Sequence, residues 1–311
     1  MSHYIVNIDA PQCSISCKDG QLIYKTQDDY RSLPLEDVAA IIITSFSANL
    51  HSNLIIEAAK YGIALVICKA FKPVSLFVPA NRSTDTILTR AQITIPDKLR
   101  TRLWRKTIDA KCANQLSLCE KLAPGHEKLE LLRESILLKN PKKEATCAKI
   151  YWKIISSVIN EENFKRHRSG GSFNNLLNYG YAVLLSTVLQ KLFALGLDPT
   201  FGISHLPRER CTPLAYDLME PFRPCVDLRV VQWVKNNPGE NKYEVNKEFR
   251  KWVTGFVIEK VGYFSLNLEI QGCVECMIRG FRRALIERQS KYYRPWCSDK
   301  NSIPDLDDTS G

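Results

Sequence analysis

Short apolar runs rich in β-branched residues fill the first eighty positions: 4–8 (YIVNI), 13–17 (CSISC), 21–26 (QLIYKT), 38–44 (VAAIIIT), 63–68 (IALVIC) and 74–79 (VSLFVP). Gly20, Pro34 and Pro73 punctuate them, and runs of this length between turn residues predict strands. One stretch keeps a different period. Leu50, Leu54, Ile55, Ala58 and Ala59 recur as on one face of a helix, and Gly62 stands where a C-terminal cap belongs. Residues 1–80 therefore predict a β-rich domain with one inserted helix.

Over 81–96 (NRSTDTILTRAQITIP) polar and apolar residues mix without a sustained period, which predicts a linker. Beyond it the period is helical. Leu99, Leu103, Ile108, Cys112 and Leu116 mark a long helix whose other face carries Lys98, Arg102, Arg105 and Lys106. Further helices fit 126–138, 142–159, 173–195, 243–260 and 270–293. The stretch over 173–195 is apolar, but Asn174, Asn175, Asn178, Gln190 and Lys191 interrupt it and Gly196 and Pro199 follow, as in a buried helix rather than a membrane span. Within it Asn178 and Tyr179 are candidates for orienting a site. The expected fold is α+β: a β-rich domain over 1–80, then an all-α domain over 97–297. An acidic, aperiodic tail over 298–311 is expected to be disordered.

Composition narrows the function. At 311 residues, 45% of them apolar, the chain has material for two cores, at about 150 residues per domain. A formal charge of +10 and a pI near 9.0 call for a polyanionic partner, nucleic acid or an anionic membrane surface. With no leader and no long uncharged apolar stretch in view, the expected location is the cytoplasm, without membrane insertion. Eleven cysteines, an odd number without regular spacing, predict reduced thiols rather than a disulfide framework. Cys273 and Cys276 have the spacing of half a zinc site but lack a second pair.

The candidate chemistry centres on YDLMEPFRP (216–224). On a helix, Asp217 and Glu220 lie roughly 60° of arc apart, so both can point at one centre as metal ligands. Pro221 cannot donate to the Asp217 carbonyl, nor Pro224 to that of Glu220, so a kink is expected, and the shared face is lost if the helix ends at Glu220. Acid pairs at this spacing are also the ordinary pattern of a solvated helix. Glu144 falls in the first turn of a helix that Asn140 can cap and Pro141 can open, where the macrodipole alone would favour an acid. His205 by itself reads as an ordinary loop or core histidine.

Taken in order, NPKKEATCAKIYW (140–152), NNLLNYGYAVL (174–184), GLDPTFGISH (196–205) and LAYDLMEPFRPCVD (214–227) resemble the CRISPR-associated adaptation integrases, the metal-dependent subunits that insert new spacers into a repeat array. The resemblance is specific over about 140–230 and looser elsewhere. It implies that Glu144, His205 and Glu220 stand at the metal-ligand positions, with Asp217 a further catalytic acid beside them. It also implies a homodimer formed through the β-rich domain, and a small ferredoxin-like CRISPR-associated adaptation subunit whose dimer bridges two such pairs, with one productive site in each. Carboxylates with one imidazole make a mostly hard donor set that suits Mn²⁺ or Mg²⁺.

Phosphate approaching these acids needs a basic frame. Lys165, Arg166 and Arg168 form one candidate DNA-binding run; Arg279, Arg282 and Arg283, interleaved with aromatic residues, form another. Arg223, like Arg208, either braces phosphate or pairs with the acids, and pairing is the default. The expected function is a DNA endonuclease and integrase that joins 3′-hydroxyl ends to repeat DNA by transesterification. The rivals are a DNA-binding scaffold whose acids are structural and a metal-dependent nuclease acting on branched DNA.

Overall fold

Strand formation begins with an Asp-Gly turn. Asp19 and Gly20 both have positive φ, 50° and 72°, the type I′ geometry that matches the twist of a two-residue hairpin. They join β2 (Ser14–Lys18) to β3 (Gln21–Lys25). The computed structural model describes residues 4–69, 72–77, 85–139, 141–161, 164–167, 171–205, 212–239 and 242–298. Asn140, Arg168, Arg208 and all of the expected tail except Ser298 lie outside the described residues.

The elements that follow β1 (Tyr4–Ile8) and the hairpin are β4 (Tyr30–Pro34), β5 (Val38–Ile43), β6 (Asn49–Leu50), α1 (Ser52–Lys60), β7 (Ala64–Lys69) and β8 (Lys72–Phe77). They build two four-stranded sheets, ordered β1-β5-β7-β8 and β4-β3-β2-β6. Leu50 closes β6 rather than opening the helix, which begins at Ser52. Gly62 ends α1 with φ +72°, and the Ile63 amide donates back to the Ala58 carbonyl at 2.8 Å.

The unbroken apolar run of β5 has a cause in its two covered faces. Ile41 and Ile43 join the core between the sheets, with Ile8, Ile15, Leu22 and Leu54. Ala40 and Ile42 face the other way, against Val66, Cys68 and Ala194. Ala194 closes α6 (Phe173–Ala194), so the helical part of the chain covers the outer face of this sheet.

The helical part opens with α2 (Asp85–Ile93) and α3 (Asp97–Leu122), then α4 (Leu129–Ile136) and α5 (Lys143–Val158), which precede α6. After α6 come α7 (Pro213–Met219), α8 (Arg223–Asn236), α9 (Lys247–Thr254), β9 (Lys260–Tyr263), β10 (Leu266–Glu269) and α10 (Ile270–Glu287). Two expectations need correction. Residues 85–93 of the expected linker are a helix whose Leu88 is buried in the main core, and the Gln92 amide exchanges hydrogen bonds of 3.0 Å with the backbone of Asp198. Its buried positions are Leu88 and the polar Gln92, so no apolar period shows. The larger region is mostly helical, as expected, with one small hairpin in it. The helix expected over 243–260 ends at Thr254, and β9 and β10 pair as an antiparallel hairpin.

None of the described helices is long and apolar enough to cross a membrane. Along α6, Gly180 allows close approach: a Cβ there would lie 2.5 Å from Val226 Cγ1 on α8 and 3.3 Å from Val253 Cγ2 on α9. Both valines are buried, so neither has room to turn away. Gly180→Ala is expected to destabilise the protein by about 1–3 kcal/mol through overpacking, read as a lower urea midpoint with an unchanged m-value.

Candidate active site

The α7 to α8 connection is shaped by its prolines. Pro221 withholds a donor from the last turn of α7, so Glu220–Phe222 tightens into a 3₁₀ turn, and α8 starts at Arg223 with Pro224 in its first turn. The change of pitch separates the two acids that the helical spacing had aimed at one centre.

Asp217 turns toward residues 203–205. Its Oδ2 accepts from the amides of Ile203 at 2.7 Å and Ser204 at 3.1 Å, while Oδ1 accepts from the His205 amide at 3.1 Å and lies 2.6 Å from His205 Nδ1. Both oxygens of this fully buried acid are thereby engaged, so Asp217 acts on the imidazole. Gly202 is required beneath this turn: a Cβ would come within 2.6 Å of the His205 carbonyl oxygen. The imidazole stands edge-on to Trp104, with ring centres 6.0 Å apart. The hydrogen bond to Asp217, opposed by partial burial, raises the His205 pKa above its ordinary value.

Glu220 turns the other way and is buried. Arg223 Nε donates to its Oε1 at 2.8 Å, and Lys111 Nζ lies 2.6 Å from its Oε2. The same ammonium donates to Glu144 Oε1 at 2.6 Å. One lysine from α3 thus holds acids from α5 and the 3₁₀ turn. Its contact with Glu220 is ionic and poorly angled, because no hydrogen bond of good geometry reaches that buried Oε2. Burial by itself would push the Glu220 carboxyl up, but Lys111 and Arg223 outweigh it and leave the pKa below the usual value. Burial likewise works against the Lys111 ammonium, and the two glutamates outweigh it.

The structure therefore gathers the four candidate catalytic residues as two pairs, Glu144 with Glu220 across Lys111, and His205 with Asp217. Among the described residues no three His, Cys, Asp or Glu side chains form a group that could hold a metal ion; Glu144, His205 and Glu220 are not closed into one ligand set.

Behind Glu220 lies a network that sequence reasoning missed. Asp227 is buried and accepts from the hydroxyls of Tyr151 at 2.6 Å and Tyr181 at 2.5 Å. The Arg223 guanidinium sits over the Tyr181 ring at 4.6 Å. Asn114 of α3 pins the neighbouring turn, donating to the carbonyls of Pro221 at 2.8 Å and Trp296 at 3.0 Å and accepting from the Ser298 amide at 2.7 Å. Lys111 carried a signal in the sequence: it shares the stripe of Ile108, Cys112, Gln115 and Cys119, and a lysine on an apolar stripe needs a buried partner.

The basic candidates divide. Arg166 faces inward, giving hydrogen bonds of 2.8 Å to Asn174 and to Asn178, and Tyr179 packs edge-on against Phe249. Arg223 pairs with Glu220, and Arg279 pairs with Glu275 at 2.9 Å. Arg283 is exposed and lies over the Tyr292 ring at 3.9 Å, Arg282 is half-buried on the same helix, and Lys165 is exposed.

The sequence pattern of the family described as CRISPR associated protein Cas1 matches residues 6–254, and the chain belongs to that family. It is 24% identical over 282 residues to the CRISPR-associated endonuclease Cas1 of Neisseria meningitidis serogroup C (strain 8013), covering 89% of this chain and 90% of that one. Among solved structures, a casposase bound to integration product superposes with a TM-score of 0.75 at 21% identity, over 95% of this chain and 99% of the other. A chain of a partial Cas6-RT-Cas1–Cas2 complex superposes at 0.70 with 16% identity, over 96% and 99%. At these identities the two structures establish the shared fold.

Asp227 supplies a pH signature. Burial lifts its pKa from 3.8 to about 6 against the pull of the two tyrosine hydroxyls and Arg223. Between those values the unfolded chain releases the proton first, so the stability held by the neutral acid is lost as pH rises through about 6. Asp227→Asn is expected to gain stability relative to wild type between about pH 4 and pH 7, measured by urea unfolding in chelator; a pH-independent difference would remove this account.

Proposed function

We propose that this chain is a metal-dependent DNA endonuclease and integrase that inserts new spacer DNA into a CRISPR repeat array. The observation that carries the reading is the pair of glutamates, from elements distant in sequence, held against one cation inside a Cas1 fold. The Neisseria relative is named an endonuclease, and the casposase was solved with an integration product, so the family and the fold both accompany DNA strand chemistry.

The donor set fits Mn²⁺ or Mg²⁺. Glu144 and Glu220 bring hard oxygens within reach of one ion, and the Lys111 ammonium, 2.6 Å from both, marks a place where the pair already holds a cation. With Nδ1 fixed by Asp217, the His205 imidazole presents Nε2 as its remaining donor atom. Glu144, His205 and Glu220 would hold the metal. Bound there, a divalent ion makes a 3′-hydroxyl more nucleophilic and stabilises charge on the phosphorus centre and leaving oxygen. Asp217 keeps the imidazole in one tautomer and orientation. Arg223, steadied over Tyr181, fixes the Glu220 carboxylate and balances its charge.

DNA is the substrate in this reading. The partners are a second copy, docked through the β-rich domain where Tyr4, Phe46, Ile56 and Val74 are exposed, and a small ferredoxin-like adaptation subunit. The neighbour solved with Cas2 supports that last partner. The cytoplasm is the compartment in which the three would meet.

Incubating the chain with Mn²⁺, a short duplex bearing free 3′-hydroxyls and a repeat-bearing plasmid tests the proposal. Glu220→Ala is expected to lower strand joining by at least about 100-fold, as loss of a ligand worth several kcal/mol implies, while DNA binding persists. Joining that survives refutes Glu220 as a ligand, wild type that joins nothing points to a scaffold with structural acids, and a preference for four-way junctions over repeat ends points to a branched-DNA nuclease.

The basic frame has its own signature in salt. Replacing Arg279, Arg282 and Arg283 together by Gln is expected to flatten the slope of log affinity against log salt by about 0.9 for each phosphate these side chains neutralise. A slope unchanged in filter-binding titrations would exclude α10 from the interface.

A further inference from the structure

We infer that Lys111 is the resident counter-ion of the acid pair: its ammonium occupies the ground between Glu144 and Glu220 in the metal-free protein and leaves when a divalent ion enters, so that it sets the affinity for metal. The inference rests on the reading that these two glutamates hold the metal. Three observations carry it. The ammonium lies 2.6 Å from an oxygen of each acid, which puts it where an ion shared by the pair would sit. The Lys111 side chain is only 12% exposed and Glu220 5%, so the contact is shielded from solvent and salt. The charges of Glu144 and Glu220 are already balanced by Lys111 and Arg223.

A dication entering this neutral group would stand against two cations already paired with the same two carboxylates unless one departs. Arg223 is the less able to move, because its guanidinium is held both by Glu220 Oε1 and by the face of Tyr181. Lys111 has a flexible stem, and its ammonium is anchored by the two acids themselves. Without metal, the lysine supplies the second cation that two carboxylates need, since among the described residues Arg223 pairs with Glu220 alone. It also keeps two like-charged acids within reach of one ion. Lys111 is therefore a positioning residue that exchanges places with the metal.

The test uses the full chain and Mn²⁺ alone, with free Mn²⁺ followed by electron paramagnetic resonance and unfolding followed by scanning calorimetry. Lys111→Met is expected to bind Mn²⁺ about tenfold more tightly, since no competing state needs to be displaced. In chelator its Tm is expected to fall, and saturating Mn²⁺ is expected to restore it. Unchanged or weaker binding by this variant, with tight binding by wild type that Glu220→Gln weakens, overturns the inference and leaves the metal reading standing. Wild type that shows no saturable binding, or binding that Glu220→Gln leaves intact, overturns both. Wild type supplies a second measurement should Lys111→Met fail to fold: acetic anhydride labelling of Lys111, read by mass spectrometry, is expected to rise severalfold on Mn²⁺ saturation. Labelling that stays constant or falls overturns the inference.

Discussion

A carboxylate buried as deeply as Glu220 persists only with opposite charge beside it, and the arrangement of the helical region follows from supplying that charge. The cation comes from α3, the second acid from the first turn of α5, and a second cation from the start of α8. Each helix must hold its register for one ammonium to reach two carboxylates at 2.6 Å. Trp104, two turns before Lys111, extends the same face of α3 to the imidazole of His205. The longest of the described helices is in this way the common wall of both halves of the site.

The prolines of EPFRP divide labour between two acids that a regular helix would have left equivalent. Asp217, at the end of α7, has its oxygens filled by amides and an imidazole; Glu220, on the 3₁₀ turn, meets only cations. One acid orients a side chain, and the other gathers positive charge. Tyr181, under Arg223, and Tyr151 extend this order inward to Asp227, whose pKa burial lifts to about 6.

Periodicity made most of the long helices legible, because each buries one stripe over many turns, but not α8, and β-branched runs marked the central strands. Elements with little buried apolar surface stayed silent: β4 is exposed along most of its length, α2 buries Leu88 and the polar Gln92, and β9 and β10 have four residues each. The acids and the histidine were legible through the motifs that surround them. Their pairing was not, because no local rule aims α3 at the 3₁₀ turn, and Asp227 lies 76 residues from Tyr151. The lysine on the apolar stripe of α3 was the one local trace of the arrangement.

The knot of hydrogen bonds at Asn114 ties the order of synthesis to the completion of the site. Its partners at Trp296 and Ser298 lie 182 and 184 residues downstream. A ribosome makes those residues long after α3, so the turn that carries Glu220 is fastened only once they have emerged. Until then the nascent chain lacks that fastening.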